Sequence, residues 1–242
     1  MDLLPLNAVH VDLVHTDSAD AWAQQAAYRA LLSKDEEERM ARLIFERDRR
    51  RFLLTRALVR TMLSRYASVP PAGWSFIANV HGRPEILDRP AGVPDLRFNL
   101  SHTEGLIACA VTIGRDVGID VEHIGRRLTH DVAGRFFAPS EVRALELLPA
   151  DEQPRVFFDY WTLKEAYIKA RGFGLALPLA DFAFTLSPPA PPVITIEPSL
   201  NDEAAAWQFF QDWPTPQHRL GLAVRRDGAD LPVRIRSVIP RI

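Results

Sequence analysis

Cysteine and net charge are both scarce in this chain of 242 residues. The one cysteine, Cys109, lies in the apolar run LIACAVTI, so no disulfide can form within the chain and the thiol is expected to pack as a small hydrophobe. The formal net charge of -2 is too small to attract nucleic acid or a membrane through bulk electrostatics. Any anionic ligand must therefore be met by a local basic patch.

Long hydrophobic runs are lacking as well. No stretch reaches the roughly 18 apolar residues that a membrane span needs. The N-terminal segment MDLLPLNAVHVDL carries Asp2 and has no basic region before its apolar residues, unlike a secretory signal. Hydrophobic residues make up 47% and charged residues 25% of the chain, which argues against disorder. We therefore expect a soluble, cytoplasmic protein.

The pattern of strands and helices predicts two α+β halves, residues 1–113 and 114–242. The first half begins with the strand AVHVDLV, contains the helix DRRRFLLTRALVRTMLSRYA, and ends with the strands RFNLSH and LIACAVTI. The second half contains the strand VGIDVE and the helices APSEVRALELLP and PRVFFDYWTLKEAYIKARG. After the proline-rich SPPAPP, the segments VITIE, AWQFF, LGLAV and VRIRSV are typical of an antiparallel meander.

Two carboxylates, Asp120 and Glu122, lie two positions apart in GIDVEH on a predicted strand. Residues two apart on a strand share a face, so both side chains point the same way, opposite to Ile119 and Val121. The carboxylates repel each other unless a cation lies between them or they reach water. Magnesium, which prefers hard oxygen ligands, is the natural cation; the alternative is a solvated acidic face on a half-exposed strand.

A second group of charges lies in DYWTLKEAYIKARGFG, which is predicted to be helical. Trp161, Glu165 and Lys169 fall on one helix face, and Lys164 is displaced from that face by about 100°. Glu165 and Lys169 have the favourable order for a helical ion pair, which on a solvated helix would have no further role. Apolar residues surround much of this helix, however, and charges on a largely buried helix need a function.

Polar and basic residues in the first half are candidates for phosphate contacts. Ser101 and His102 in FNLSHTEG are neighbours, and neighbours on a strand point to opposite faces, so a hydrolase triad is poorly supported. In a loop, both side chains could instead donate to phosphate oxygens, or the histidine could be structural. From Arg39 to Arg65 there are nine arginines against two acids, which indicates either a polyphosphate site or a solvated helix face.

Taken in order and spacing, the segments HGRP, FNLSHT, GIDVEH, FFAPSE and YWTLKEAYIKARGFGLALPL closely resemble the 4′-phosphopantetheinyl transferases of the surfactin-synthetase-activating (Sfp) type. The core of the resemblance runs from Gly82 to Leu179. It implies a pseudo-twofold α+β monomer of two similar α/β halves, with coenzyme A in the cleft between them. Residues 1–113 would contact the adenine and 3′-phosphate, and residues 114–242 would carry the metal and catalytic motifs.

The resemblance also implies roles for individual residues. The implied ligands of Mg²⁺, or of Mn²⁺, are Asp120, Glu122 and Glu165. The implied contacts to coenzyme A are Arg39, Arg51, Arg83, Ser101, His102, Lys164 and Lys169. The implied catalytic residues are Glu165, Lys169 and His102, with Glu165 activating the acceptor unless Glu122 or a metal-bound hydroxide does so. Glu141 and Trp161 occupy motif positions at which a site role and a packing role are both open.

The implied reaction moves the 4′-phosphopantetheine arm of coenzyme A to a serine of an apo acyl, peptidyl or aryl carrier protein and releases adenosine 3′,5′-bisphosphate. Such carriers serve fatty-acid, nonribosomal-peptide or siderophore synthesis, and residues 126–154 are the candidate carrier contact. Neither nucleic acid nor a membrane is an expected partner. Two alternatives stay open: a magnesium-dependent nucleotide pyrophosphohydrolase that uses the same acids, and a non-catalytic module that binds coenzyme A or a carrier.

Overall fold

The computed structural model describes residues 3–5, 7–126, 132–174 and 177–242 and divides the chain into two compact units. The first unit is Met1–Gly114 with Leu231–Ile242, and the second is Arg115–Asp230. The division after residue 114 lies one residue from the predicted one. Residues 231–242, in contrast, were predicted in the C-terminal half but lie in the first unit. In the described ranges, no helix has the length and apolar character to cross a bilayer.

The first unit contains a four-stranded sheet in the order β11-β1-β5-β4 and a separate hairpin of β2 and β3. Its strands are β1 (Val9–His15), β2 (Ser75–Ala78), β3 (Pro84–Leu87), β4 (Leu96–Thr103), β5 (Leu106–Ile113) and β11 (Val233–Ser237). Its helices are α1 (Ala19–Trp22), α2 (Gln25–Arg29), α3 (Lys34–Ala41) and α4 (Glu46–Leu63). Leu54, Leu58 and Met62 recur at helical spacing on α4 and are buried in one core with Cys109, whose thiol is free, as predicted.

The second unit contains an antiparallel sheet in the order β6-β10-β9 and a hairpin of β7 and β8. Its strands are β6 (Val117–His123), β7 (Phe182–Thr185), β8 (Val193–Ile196), β9 (Trp207–Thr215) and β10 (His218–Arg225). Its helices are α5 (Val132–Phe136), α6 (Pro139–Glu146) and α7 (Gln153–Arg171). The predicted four-segment meander is wrong, because β8 pairs with β7 and β11 pairs in parallel with β1.

Helix α7 lies directly on the backbones of β6 and β10, and two glycines allow this approach. A Cβ atom at Gly118 would lie 2.0 Å from the carbonyl oxygen of Ala166, and one at Gly221 would lie 2.5 Å from the carbonyl oxygen of Thr162. Both distances are far below van der Waals contact, so no larger residue fits without moving the helix. Gly118 therefore allows α7 to approach β6, which carries the paired carboxylates, and Gly221 allows the same approach to β10.

Candidate active site

The paired carboxylates of β6 lie on the strand face that contacts α7, which confirms that they point the same way. Asp120 is 4% exposed and pairs in register with Gly221, and Glu122 pairs with Arg219. The indole nitrogen of Trp161 on α7 donates to Oε1 of Glu122 at 3.2 Å, and a guanidinium nitrogen of Arg126 donates to the same oxygen at 3.2 Å. The alternative of an open, solvated acidic strand does not describe this burial.

Helix α7 brings its own charged face onto this strand. The ammonium group of Lys169 donates to Oδ1 of Asp120 at 2.6 Å and to the carbonyl oxygen of Ile119 at 3.2 Å. Trp161, Glu165 and Lys169 follow one another at four-residue intervals, as the helical spacing predicts. Trp161 contacts Glu122, and Lys169 contacts Asp120. Glu165 lies between Trp161 and Lys169 on the same helix face.

The electrostatics of this group favour protons or cations. Burial and the negative charges of Asp120 and Glu122 raise the pKa of Glu165 from its ordinary value of 4.5 to about 7, although Lys169 and Arg126 act against this. Burial and Asp120 also raise the pKa of Glu122. Three oxygen-donor side chains, two of them with raised pKa values, have the chemistry that suits a hard divalent cation.

The three carboxylates have the donor type that Mg²⁺ prefers. Their side chains, however, do not converge on one point as metal ligands do. Within the described part of the chain, no three His, Cys, Asp or Glu side chains form a group that could hold one metal ion. The ammonium group that contacts Asp120 supplies a positive charge at this carboxylate. A metal site at Asp120, Glu122 and Glu165 therefore remains a prediction that rests on donor chemistry and electrostatics.

Lys164, predicted to contact coenzyme A, lies instead in the core of the second unit, which corrects that prediction. It is 0% exposed, and its ammonium group contacts Oε2 of Glu141 at 2.7 Å and the carbonyl oxygens of Leu179 and Phe182 at 2.8 and 2.6 Å. Glu141 in turn accepts from the backbone amides of Ala138 and Phe184 at 2.9 and 2.8 Å. The motif residue Glu141 therefore has a packing role: it holds α6, α7 and β7 together.

We expect Lys164→Met to lower the free energy of unfolding by about 3 kcal/mol, because it leaves the Glu141 carboxylate buried without its cation. The double variant with Glu141→Gln should recover part of this loss, since no unpaired charge then stays in the core. Urea unfolding at neutral pH measures both changes. Lys34→Met, at an exposed lysine on α3, is the matched control and should change stability little. A Lys164→Met protein as stable as the wild type would contradict the assignment.

Ser101 and His102 lie next to each other on β4 of the first unit, on a strand and not in a loop. Ser101 is buried and His102 is exposed, as strand alternation requires. The two side chains therefore point to opposite faces of the sheet. If both contact coenzyme A, as the resemblance implies, they reach different groups of that ligand.

The three arginines predicted to hold coenzyme A all lie in or next to cavities of the first unit. Arg39 borders a cavity of about 470 Å³, and Arg51, which pairs with Asp48 at 2.9 Å, borders another of about 760 Å³. Arg83 donates to Glu85 at 2.9 Å and lies between two residues, 82 and 84, that line the smaller cavity. The structure thus leaves all three predictions open.

Two arginines that the sequence pattern did not single out also line the smaller cavity. Arg56 and Arg60, one turn apart on α4, contact opposite oxygens of Glu36 at 3.3 and 2.8 Å. Glu36 belongs to the acidic run DEEE, which directly precedes the arginine-rich stretch that begins at Arg39. The i, i+4 spacing of Arg56 and Arg60 could have predicted that they share one helix face. It did not distinguish them from the seven other arginines of the region.

Comparison with known proteins shows similarity over most of the chain. Residues 116–223 match the family model described as the 4'-phosphopantetheinyl transferase superfamily, and residues 18–113 match the model described as 4'-phosphopantetheinyl transferase, N-terminal. The 4'-phosphopantetheinyl transferase HetI of Nostoc sp. is 39% identical over 206 residues, which cover 84% of this chain and 81% of HetI. A 4'-phosphopantetheinyl transferase of Bacillus subtilis and the Sfp protein of its strain 168 are 35% and 31% identical, each over 72% of this chain and 75% of the relative.

Proposed function

Since this chain belongs to the 4′-phosphopantetheinyl transferase superfamily, we propose that the cluster of Asp120, Glu122, Glu165 and Lys169 is its catalytic centre. The enzyme transfers the phosphopantetheine group of coenzyme A to carrier proteins, and neither the pyrophosphohydrolase nor the non-catalytic module is favoured by its relatives. The observation that supports the assignment of the centre is the 2.6 Å contact between Lys169 and Asp120 beside a carboxyl group, Glu165, whose pKa is about 7.

The proposed chemistry is an in-line phosphoryl transfer. The carrier serine oxygen forms a bond to the β-phosphorus of coenzyme A, and the bond from that phosphorus to the bridging oxygen breaks, which releases adenosine 3′,5′-bisphosphate. The serine proton goes to the Glu165 carboxylate, since a group with a pKa near 7 accepts protons well at neutral pH. Lys169 offsets negative charge on the phosphates. Mg²⁺ held by Asp120, Glu122 and Glu165 would supply charge neutralisation and alignment.

The decisive experiment incubates the protein with coenzyme A, Mg²⁺ and an apo carrier domain and then measures the mass of the carrier. A gain of one phosphopantetheine arm that a chelator blocks supports both the transfer and the metal. A gain that persists in chelator would contradict the metal assignment alone. Release of adenosine 3′,5′-bisphosphate with several apo carriers left unmodified would contradict the transfer and favour a pyrophosphohydrolase.

We expect Mg²⁺ to raise the thermal midpoint of unfolding, and to raise it more at pH 8 than at pH 6. The raised pKa of Glu165 means that the folded chain holds this proton more tightly than the unfolded chain, so stability falls as pH rises from 4.5 to about 7. Above that range the ionised carboxylates repel one another, and a cation relieves the repulsion. Thermal unfolding with and without millimolar Mg²⁺ measures the shift. Asp120→Asn should abolish it, and an equal shift in that variant would contradict the site.

A basic and aromatic surface next to Glu122 is the proposed contact for the carrier. It consists of Arg126, Arg135, Phe136 and Trp161: the guanidinium group of Arg135 lies 5.3 Å from the ring of Phe136, which packs edge to face on Trp161. Both arginines are exposed, and Arg126 and Trp161 bind Glu122 directly. Residues 127–131 of the predicted contact segment lie outside the described residues. An acidic carrier helix would be complementary in charge to this surface.

We expect Arg135→Glu to raise the KM for an acidic carrier about fivefold and to leave the KM for coenzyme A unchanged, because one attractive contact becomes repulsive. Steady-state kinetics with each substrate varied in turn measures both constants. Arg29→Glu, at an exposed arginine on α2 outside the predicted contact segment, tests whether the effect depends on position. Equal changes in both variants would indicate a general charge effect and not a docking surface.

A further inference from the structure

A groove of about 630 Å³ lies in the first unit and shares no lining residue with the two cavities described above. Its walls are β1 and the residues after it, the last part of α4, and the segment from Arg236 to Arg241. Asp12 lies at its base and is 3% exposed, whereas Arg236 and Arg241 are exposed. We call it the Asp12 groove.

Asp12 orients two arginines from different elements. The carboxylate accepts hydrogen bonds from Nε and one terminal nitrogen of Arg236 at 2.6 and 2.9 Å. It also accepts one from a terminal nitrogen of Arg65 at 3.0 Å. Among the described residues, the other guanidinium nitrogens of Arg65 and Arg236 have no acceptor within hydrogen-bond distance. A guanidinium group fixed along one edge still offers its remaining N–H groups to an anion. Both arginines line the groove, so the buried acid presents them to it.

The charge at the groove is strongly positive. A third arginine, Arg241, lines it and forms no ion pair with any described residue, so three guanidinium groups face one carboxylate. Arg234 lies two residues before Arg236 on β11; burial, and after it the charges of Arg234 and Arg236, lower the pKa of His10 beside them. The three guanidinium groups and the Asp12 carboxylate leave a net positive charge of about two. A ligand with one carboxylate would neutralise only half of it, whereas a phosphate monoester carries roughly two negative charges.

One wall of the groove is apolar, and four polar side chains, His15, Ser18, Thr61 and Ser237, line it as well. Met62 on α4 and the consecutive residues Val238, Ile239 and Pro240 form the apolar wall. A volume of this size accommodates a small organic molecule, and an apolar wall beside fixed charged donors is the usual composition of such sites. A free phosphate ion would leave this wall exposed to water.

We propose that the Asp12 groove binds a phosphate monoester with an apolar organic part, at a site that shares no residue with the proposed catalytic centre. The arginine side chains of Arg65, Arg236 and Arg241 receive the phosphate, and the wall from Val238 to Pro240 covers the organic part. Asp12 is a positioning residue that keeps two of these arginines in place. The proposal does not depend on the transferase assignment.

The test is calorimetric titration of the full chain with phenyl phosphate in the presence of saturating coenzyme A, so that the co-substrate site is filled. Arg241→Gln and Arg236→Lys should each weaken binding about tenfold. The first substitution removes a charge-assisted hydrogen bond, and the second keeps the charge but loses the planar guanidinium group that can donate two hydrogen bonds. Arg241→Gln should leave transferase activity unchanged. Arg29→Gln, at an exposed arginine of α2 in the same unit, is the control and should bind normally.

Each outcome of this titration decides the proposal. Phenyl phosphate binding that weakens in Arg241→Gln and Arg236→Lys but not in Arg29→Gln supports it. Benzoate binding as tightly as phenyl phosphate contradicts the assignment to a dianion, and inorganic phosphate binding equally tightly contradicts the role of the apolar wall. No binding to the coenzyme A complex, or binding that all three variants leave unchanged, overturns the site.

Discussion

Glu165→Gln is expected to lower the rate of phosphopantetheine transfer by roughly 10² to 10⁴, the range that a lost general base produces. The amide cannot accept the serine proton at neutral pH, and it is a poorer ligand for a hard cation than a carboxylate. Coenzyme A should still bind, since the predicted contacts to its adenine and 3′-phosphate lie in the first unit. Single-turnover transfer to an apo carrier, with a parallel binding titration of coenzyme A, measures both effects.

The stability of this variant separates lost chemistry from lost folding. The raised pKa of Glu165 means that its charge opposes folding at pH values above about 7, so the neutral amide should unfold at the same or a higher temperature at pH 8 without metal. Glu152→Gln, at the exposed residue that precedes α7, is the matched control and should transfer at the normal rate. A fully active Glu165→Gln enzyme would show that another group takes the proton.

Gly118→Ala should lower the free energy of unfolding by more than about 4 kcal/mol, which few single substitutions reach. The new methyl group would lie 2.0 Å from the carbonyl oxygen of Ala166 and 2.4 Å from the amide nitrogen of Ala170. Both are backbone atoms of a buried helix, so the clash is relieved only by moving α7 away from β6. Chemical denaturation measures the loss, and transfer activity should fall with it because Lys169 and Asp120 separate.

Gly73→Ala is the control for this prediction. A Cβ atom there would lie 3.1 Å from a methyl group of Val69, a side-chain atom that can shift, so the expected loss is below about 1 kcal/mol. If both variants lose equal stability, the loss in Gly118→Ala does not come from the close approach of α7. If Gly118→Ala is stable but inactive, the glycine serves the geometry of the centre without limiting the fold.

The sequence predicted the elements of the candidate centre because its periodicities are local. Alternation on β6 placed Asp120 and Glu122 on one face, and four-residue spacing on α7 aligned Trp161, Glu165 and Lys169. Their contact could not follow from periodicity, since it depends on the glycine at position 118, whose packing partner lies 48 residues away along the chain. The close approach of α7 to β6 is a tertiary contact, and the periodicity of the sequence does not reveal it.

The inward position of Lys164 could not be predicted for a related reason. A lysine next to the proposed catalytic glutamate is expected at the surface, because burying an ammonium group is costly unless it is paired. The pairing residue, Glu141, is the third residue of α6 and is itself held by backbone amides. The two residues are 23 positions apart, so no local pattern joins them.

The pairing of β1 with β11 determines the order in which the chain can fold during synthesis. The first unit needs the strand from Val233 to Ser237, and this strand leaves the ribosome only after all of Arg115–Asp230 has been made. Until then, β1 is an edge strand with open backbone hydrogen-bonding groups, which invite pairing with other nascent chains. The second unit, continuous in sequence, is therefore free to fold co-translationally ahead of the first, which reverses the usual N-terminal-first order.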